Sequence, residues 1–143
     1  MTAPHPWFVV LDSHKARLLQ LTRTTKGSPH VEELAALATT FVAGEHQRPD
    51  RLGAPGRSAG TGHEHEEALA HFAREVAPWL QTQLTQRAVE RCALFAPAAM
   101  LGAFRKQVTK DLARKVVEHA VELAGLPIAQ LASHPRIVAL FEA

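Results

Sequence analysis

The sequence predicts an α/β fold: a five-stranded mixed sheet in which an antiparallel meander is followed by parallel strands joined through helical crossovers. Three observations carry this expectation. Residues 7–41 hold three short apolar runs separated by turn residues rather than by a helical pattern. A stripe of apolar residues at spacings of three and four then dominates residues 69–84, and beyond residue 92 short apolar runs alternate with helical pattern. Strands joined by tight turns pair antiparallel, whereas a helical crossover returns the chain to the same end of the sheet and makes the next strand parallel.

Trp7 to Leu11 (WFVVL) is a continuous apolar run rich in β-branched and aromatic residues, the pattern of a strand buried on both faces. Asp12-Ser13-His14 supplies turn chemistry, because a short polar side chain can bond its own backbone two residues on. Ala16 to Leu21 reads as the second strand of a tight hairpin, and Lys26-Gly27-Ser28-Pro29 as the next turn. Val31 to Phe41 is ambiguous between strand and helix; its place after two strands favours a third antiparallel strand over about Val31 to Ala38. Gly44 to Glu67 is polar and rich in glycine, arginine and histidine, and reads as a long flexible loop at residues 44–63.

Leu69, Phe72, Ala73, Val76, Leu80 and Leu84 form the stripe of an amphipathic helix. Thr61 or a neighbour is placed to cap it, Glu64, Glu66 and Glu67 suit its first turn, and Pro78 removes a donor and is expected to kink it. Cys92 to Ala96 (CALFA) is a buried central strand, followed by Pro97 and a helix marked by Leu101, Phe104 and Val108. Val116 to Leu123 fits two patterns. Leu112, Val116, His119, Ala120 and Leu123 would extend the helix, while Val117, His119, Val121 and Leu123 alternate as in a strand. Gly125 ends the element in either case, and 127–133 and 135–141 read as short terminal helices, the second capped by Ser133 or His134. On the strand reading the order is β-β-β-α-β-α-β-α, that of ribonuclease-H-like folds.

A chain of 143 residues suits one domain with one core, spanning residues 1–143. The formal net charge of +2 permits contact with nucleic acid through a local patch without arguing for it. The single cysteine, Cys92, lies in an apolar run and reads as a buried, inert thiol. No apolar run approaches the roughly 20 residues of a membrane helix, and no basic segment precedes an apolar one at the N-terminus. The expectation is a cytoplasmic protein with no membrane contact.

Three stretches together resemble one family. WFVVLDSHKARLL looks like its opening hairpin, DRLGAPGRSAGTGHEHEEALAHFAREVAPWL like its Gly-Arg-Ser loop running into a helix, and LFAPAAMLGAFRKQV like its Ala-Pro strand end and Leu-Gly-x-x-Arg helix. This is the bacterial family named for a protein required for attachment to host cells, which is similar to the central domain of archaeal and eukaryotic-type peptide-chain release factors. The resemblance spans residues 7–131, is most specific at LFAP…LGAFR, and tips 116–122 towards strand. Where the family tends to carry a Lys-Asp-Leu-Thr-like run after the last strand, this chain has Val121-Glu122-Leu123-Ala124-Gly125.

The resemblance places Gly60-Thr61-Gly62-His63 about where release factors present a Gly-Gly-Gln loop, whose glycines let the backbone approach the peptidyl-tRNA ester. A backbone amide there helps position the attacking water; here His63, not a glutamine, follows the glycines, which favours binding over chemistry. Arg48, Arg51, Arg57 and Ser58 share the loop, and Lys15 and Arg17 flank the first hairpin. Arginines on a glycine-rich segment suit phosphate backbones, with a solvated charged loop as the plainer alternative. Arg105, Lys106, Lys110, Arg114 and Lys115 form a second basic patch, to which Arg105 contributes a further binding contact or a solvated helix face.

His63, His65 and His71 invite a metal reading. His63 and His65 stand about 200° apart on a helix, and His65 and His71 are no better placed. His63 and His65 therefore share an ion only if extended, with His46 or Glu67 completing it; no metal is assigned and no cofactor is called for. A two-metal nuclease would need converging carboxylates. Asp12 and Glu67 are available, the fourth strand has no acid, and Glu118 and Glu122 are the only acids of the next, so Asp12 reads as a turn residue. Trp7 and Trp79 read as core anchors. The reading is a non-enzymatic domain binding structured RNA, tRNA or the ribosome. One alternative is an interaction module, dimeric or otherwise, acting indirectly in attachment to host cells; another is a hydrolase acting through the glycine-rich loop.

Overall fold

The computed structural model describes residues 6–40 and 57–142, and for residues 57–65 and 142 the backbone alone. Three strands open the chain: β1 (Trp7–Leu11), β2 (Lys15–Arg23) and β3 (Pro29–Ala38). Alternating side chains of β1 explain the whole architecture. Phe8 and Val10 enter one apolar cluster and Val9 and Leu11 another, and all four are fully buried, so both faces of the sheet are covered.

One face is covered by α1 (Arg57–Gln86), α2 (Ala98–Arg105) and α3 (Lys110–Lys115). The expected stripe is the buried one: Leu69, Phe72, Ala73, Val76, Leu80 and Leu84 all face the sheet, joined by Ala77. The opposite face is covered by α4 (Ile128–Ser133), α5 (Pro135–Val138) and the segment before them, through Leu123, Leu131 and Ile137. Between them β4 (Cys92–Phe95) and β5 (Val116–His119) complete the sheet in the order β3-β2-β1-β4-β5.

β1 pairs antiparallel with β2 and parallel with β4, and β4 pairs parallel with β5. Because β3 is antiparallel to β2, it runs the same way as β1, β4 and β5. The crossovers β3-α1-β4 and β4-α2-α3-β5 therefore step in the same direction across the sheet. Right-handed connection puts their helices on one face, as observed. The mixed α/β sheet expected from the sequence is present, and its order is compatible with a ribonuclease-H-like label.

Several boundaries differ from expectation for identifiable reasons. The helix read through Val108 is two helices: α2 stops at Arg105, and Thr109 starts α3 by accepting a hydrogen bond from the Leu112 amide at 3.1 Å. The ambiguous 116–123 run is a strand, but only to His119, because β4 offers just four residues, Cys92 to Phe95, to pair with Val116 to His119. Helix α1 starts at Arg57, ahead of the expected loop end at residue 63. His134, not Ser133, caps α5, its Nδ1 accepting from the Arg136 amide at 3.1 Å. The α5 helix then tightens into a 3-10 turn at Ala139–Glu142.

Candidate functional site at the strand-end edge of the sheet

The common direction of β1, β3, β4 and β5 brings their carboxyl ends to one edge of the sheet. In open α/β sheets this edge is where ligands are met, because the loops that leave it are free of the packed layers. Four short segments gather there: the Asp12–Lys15 turn, Thr39 and Thr40 after β3, Pro97 after β4, and His119 at the end of β5.

The turn is built by Asp12. Its Oδ1 accepts from the backbone amides of His14 at 2.7 Å and Lys15 at 2.8 Å, and the Asp12 amide donates to the Lys15 carbonyl at 3.0 Å. This carboxylate oxygen is committed to its own loop, as a turn residue requires. Ser13 Oγ and His14 Nδ1 lie 2.9 Å apart, and the Thr39 amide donates to the His14 carbonyl at 2.8 Å, tying the end of β3 to the hairpin.

Thr40 is tied in turn to α1. Its hydroxyl donates to Glu75 Oε2 at 2.7 Å and lies 2.9 Å from His71 Nε2, while its amide donates to Glu75 Oε1 at 3.2 Å. Thr39 Oγ1 adds a donation to Glu75 Oε1 at 3.3 Å. A hydroxyl has one proton, so a Thr40 that donates to Glu75 accepts from His71, which places a proton on Nε2. Burial pushes the Glu75 carboxyl up. The Thr40 hydroxyl and amide, His71 and Thr39 together outweigh it, and the acid lies below its ordinary range. At the far end of the edge, the His119 ring stacks on Phe95 at 4.7 Å with 18° between planes. Burial, then the charge of Arg136, lowers its pKa.

The expected site residues do not share one environment. Arg48 and Arg51 lie outside the described residues, and with them the 44–56 part of the expected loop. Arg57, Ser58, Gly60, Gly62 and His63 lie in the opening turns of α1, and so are helical rather than part of the loop. Glycines there serve as helix residues, since α1 continues unbroken to Gln86. Lys15 is exposed at the start of β2, beside the Asp12 turn.

Arg17 is not at the surface. It is 7% exposed, and its Nε donates to Glu33 Oε1 at 2.6 Å, while Nη1 donates to the carbonyls of Leu126 at 2.7 Å and Ala124 at 3.3 Å. Its charge is spent inside the fold. Arg105 is exposed but paired with Glu118, with Nε at 2.7 Å and Nη2 at 2.6 Å from Oε1. That pairing engages Glu118, one of the two acids the nuclease reading needed; the other, Glu122, falls beyond the end of β5. Among the described residues no group of three His, Cys, Asp or Glu side chains could hold a metal ion. The side chains of His46, His63 and His65 lie outside them.

Thr39, Thr40 and Glu75 escaped the sequence reading, and His71 was considered only as a metal ligand. The His71–Glu75 spacing of four residues was the available signal, since i and i+4 share a helix face. What it faced was not legible, because Thr40 is 31 residues away from His71.

No helix among the described residues is long and apolar enough to cross a membrane. No curated protein matches the chain. A family model does: the one described as bacterial archaeo-eukaryotic release factor family 12 matches residues 5–134, nearly the whole fold just built, from β1 through α4. With the meander, the long α1 and the strand-end edge all inside that match, the chain belongs to the bacterial archaeo-eukaryotic release factor family 12.

Proposed function

We propose that this is a single, non-enzymatic release-factor-like domain that binds structured RNA, tRNA or a ribosomal surface at the strand-end edge of its sheet. Family membership and the position of α1 support the reading together. The helix begins at Arg57, whereas its first buried described side chain is Leu69. Twelve residues at 1.5 Å each put Arg57 about 18 Å along the axis ahead of the core contact. Gly60, Gly62 and His63 fall within that span, where the resemblance puts the release-factor tip. His63, not a glutamine, follows those glycines, which supports binding over hydrolysis.

Lys15 adds an exposed cation on the same edge. Arg48, Arg51 and Arg57 are the further phosphate contacts of the proposal, since a guanidinium fork pairs with phosphate oxygens in two places at once. Fluorescence anisotropy with a labelled tRNA over a salt series tests it. The double variant Arg51→Ala, Arg57→Ala should weaken binding and lower the salt slope by roughly 2, one for each lost phosphate contact. An affinity and slope equal to those of the parent chain would refute the site.

The second reading, an interaction module acting indirectly in attachment to host cells, draws on β3. This ten-residue strand has a strand neighbour on one side only among the described residues, and such edges recruit partner chains, a second copy included.

A further inference from the structure

We propose that the cleft between α1 and the α2–α3 connection is a docking site for an extended acidic peptide segment of a partner protein. The cleft lies away from the Asp12 and Thr40 turns, and the inference does not rest on RNA binding. Its volume of about 560 Å³ is within the usual range for ligand sites, roughly 300–1,000 Å³.

The floor is apolar: Ala77 and Leu112 are 3% and 1% exposed, and the Pro78 ring lies beside them. One wall is rigid. Gln81 Nε2 donates to Asp111 Oδ2 at 2.9 Å, and Gln81 Oε1 accepts from Thr109 Oγ1 at 3.3 Å, so its amide has a fixed orientation. The remaining polar lining is uncommitted. Among the described residues no side-chain hydrogen bond or ion pair engages Arg74, Thr82 or Gln107.

Charge selects the occupant. Arg74 in the lining is exposed, as are Lys106 and Lys110, the chain neighbours of the lining residues Gln107 and Thr109, and none is in an ion pair among the described residues. The nearby acid, Asp111, is already paired with Arg114 at 3.4 Å and Lys115 at 3.5 Å. The free charge at this cleft is therefore positive. Among the described residues no aromatic ring lines it, so a nucleobase has none of these to stack on. An extended peptide uses every feature instead. Its carboxylate meets the Arg74 guanidinium, its backbone meets the Gln107 amide, and an aliphatic side chain rests on Pro78 and Leu112.

The test is selection of a phage-displayed random heptapeptide library on the full chain, followed by anisotropy titration of the enriched peptides. The expected result is enrichment of peptides carrying Asp or Glu next to an aliphatic residue. Arg74→Gln should weaken them roughly tenfold, the ratio a charge-assisted hydrogen bond supplies, and Thr82→Trp should block them by filling the cleft. Lys26→Ala, in a distant exposed turn, should leave binding unchanged, and circular dichroism should report the same fold for all variants. No enrichment of acidic peptides, or affinities indifferent to both Arg74→Gln and Thr82→Trp, would overturn the proposal. So would a short oligouridylate that binds the parent chain and is lost with Arg74→Gln, since the occupant would then be nucleic acid.

Discussion

A residue's type narrows its role, but its neighbours decide it, and Arg17 is the clearest case. A cation beside a polar hairpin reads as a phosphate contact, yet this one links β2 to Glu33 of β3 and to the carbonyls of Ala124 and Leu126. It thereby fastens the C-terminal segment, more than a hundred residues away, onto the sheet. Removing one partner of a buried pair typically costs about 3–5 kcal/mol. Glu33 has a side chain 31% exposed and can rehydrate, so Arg17→Met should cost about 2–3 kcal/mol. Urea denaturation measures it, and a loss below about 0.5 kcal/mol would show that the pair and its carbonyl bonds do not hold the segment. Cys92 is the opposite case, legible from its neighbours in the chain alone. It sits in CALF, a strand buried at every position, and burial pushes its thiol up to about 12.

The elements were read best where periodicity was strong and worst at their ends. The stripe from Leu69 to Leu84 predicted the buried face of α1 because helix geometry alone puts those positions on one side. Its end depends on backbone chemistry that the stripe does not encode. The Val89 amide donates to the Leu84 carbonyl at 2.9 Å and the Ala88 amide to Thr85 at 3.2 Å, the pattern of a Schellman ending. Ala88 therefore takes the left-handed position, at φ 56°. A side chain there costs roughly 1–2 kcal/mol, and glycine gives back part of the gain in unfolded-state entropy. Ala88→Gly should thus stabilise the protein by about 0.5–1 kcal/mol in the same urea assay; a destabilised variant would show that the Ala88 methyl makes a contact worth more than the strain. Thr109 broke the expected α2 helix in two for a related reason: its hydroxyl satisfies an amide that a continuing helix would have bonded to its own backbone.

At the scale of the molecule, two groups at the strand-end edge make stability depend on pH in the same sense. Glu75 has a folded pKa below its ordinary value, so its contribution is present above the unfolded value and is lost as pH falls through the folded one. His119 also has a lowered folded pKa. The unfolded chain takes up that proton first, so stability is lost as pH drops below about 6.5 and further until the folded ring protonates. Thermal melts should therefore show stability falling in two stages below neutrality. Glu75→Gln should flatten the acidic limb and His119→Gln the one nearer neutrality; an unaltered profile in both variants would assign the dependence elsewhere. By itself the sequence determined the fold class, the buried face of each strong helix and the inert cysteine, because these follow from periodicity and local composition along the chain. It also carried the release-factor relationship, which the family match bears out. Only the tertiary structure decided where 116–119 pairs, that Arg17 is internal, and that Thr40, His71 and Glu75 meet at one edge. Those facts depend on contacts between residues far apart in the chain, and no local pattern records which distant segment a side chain will face.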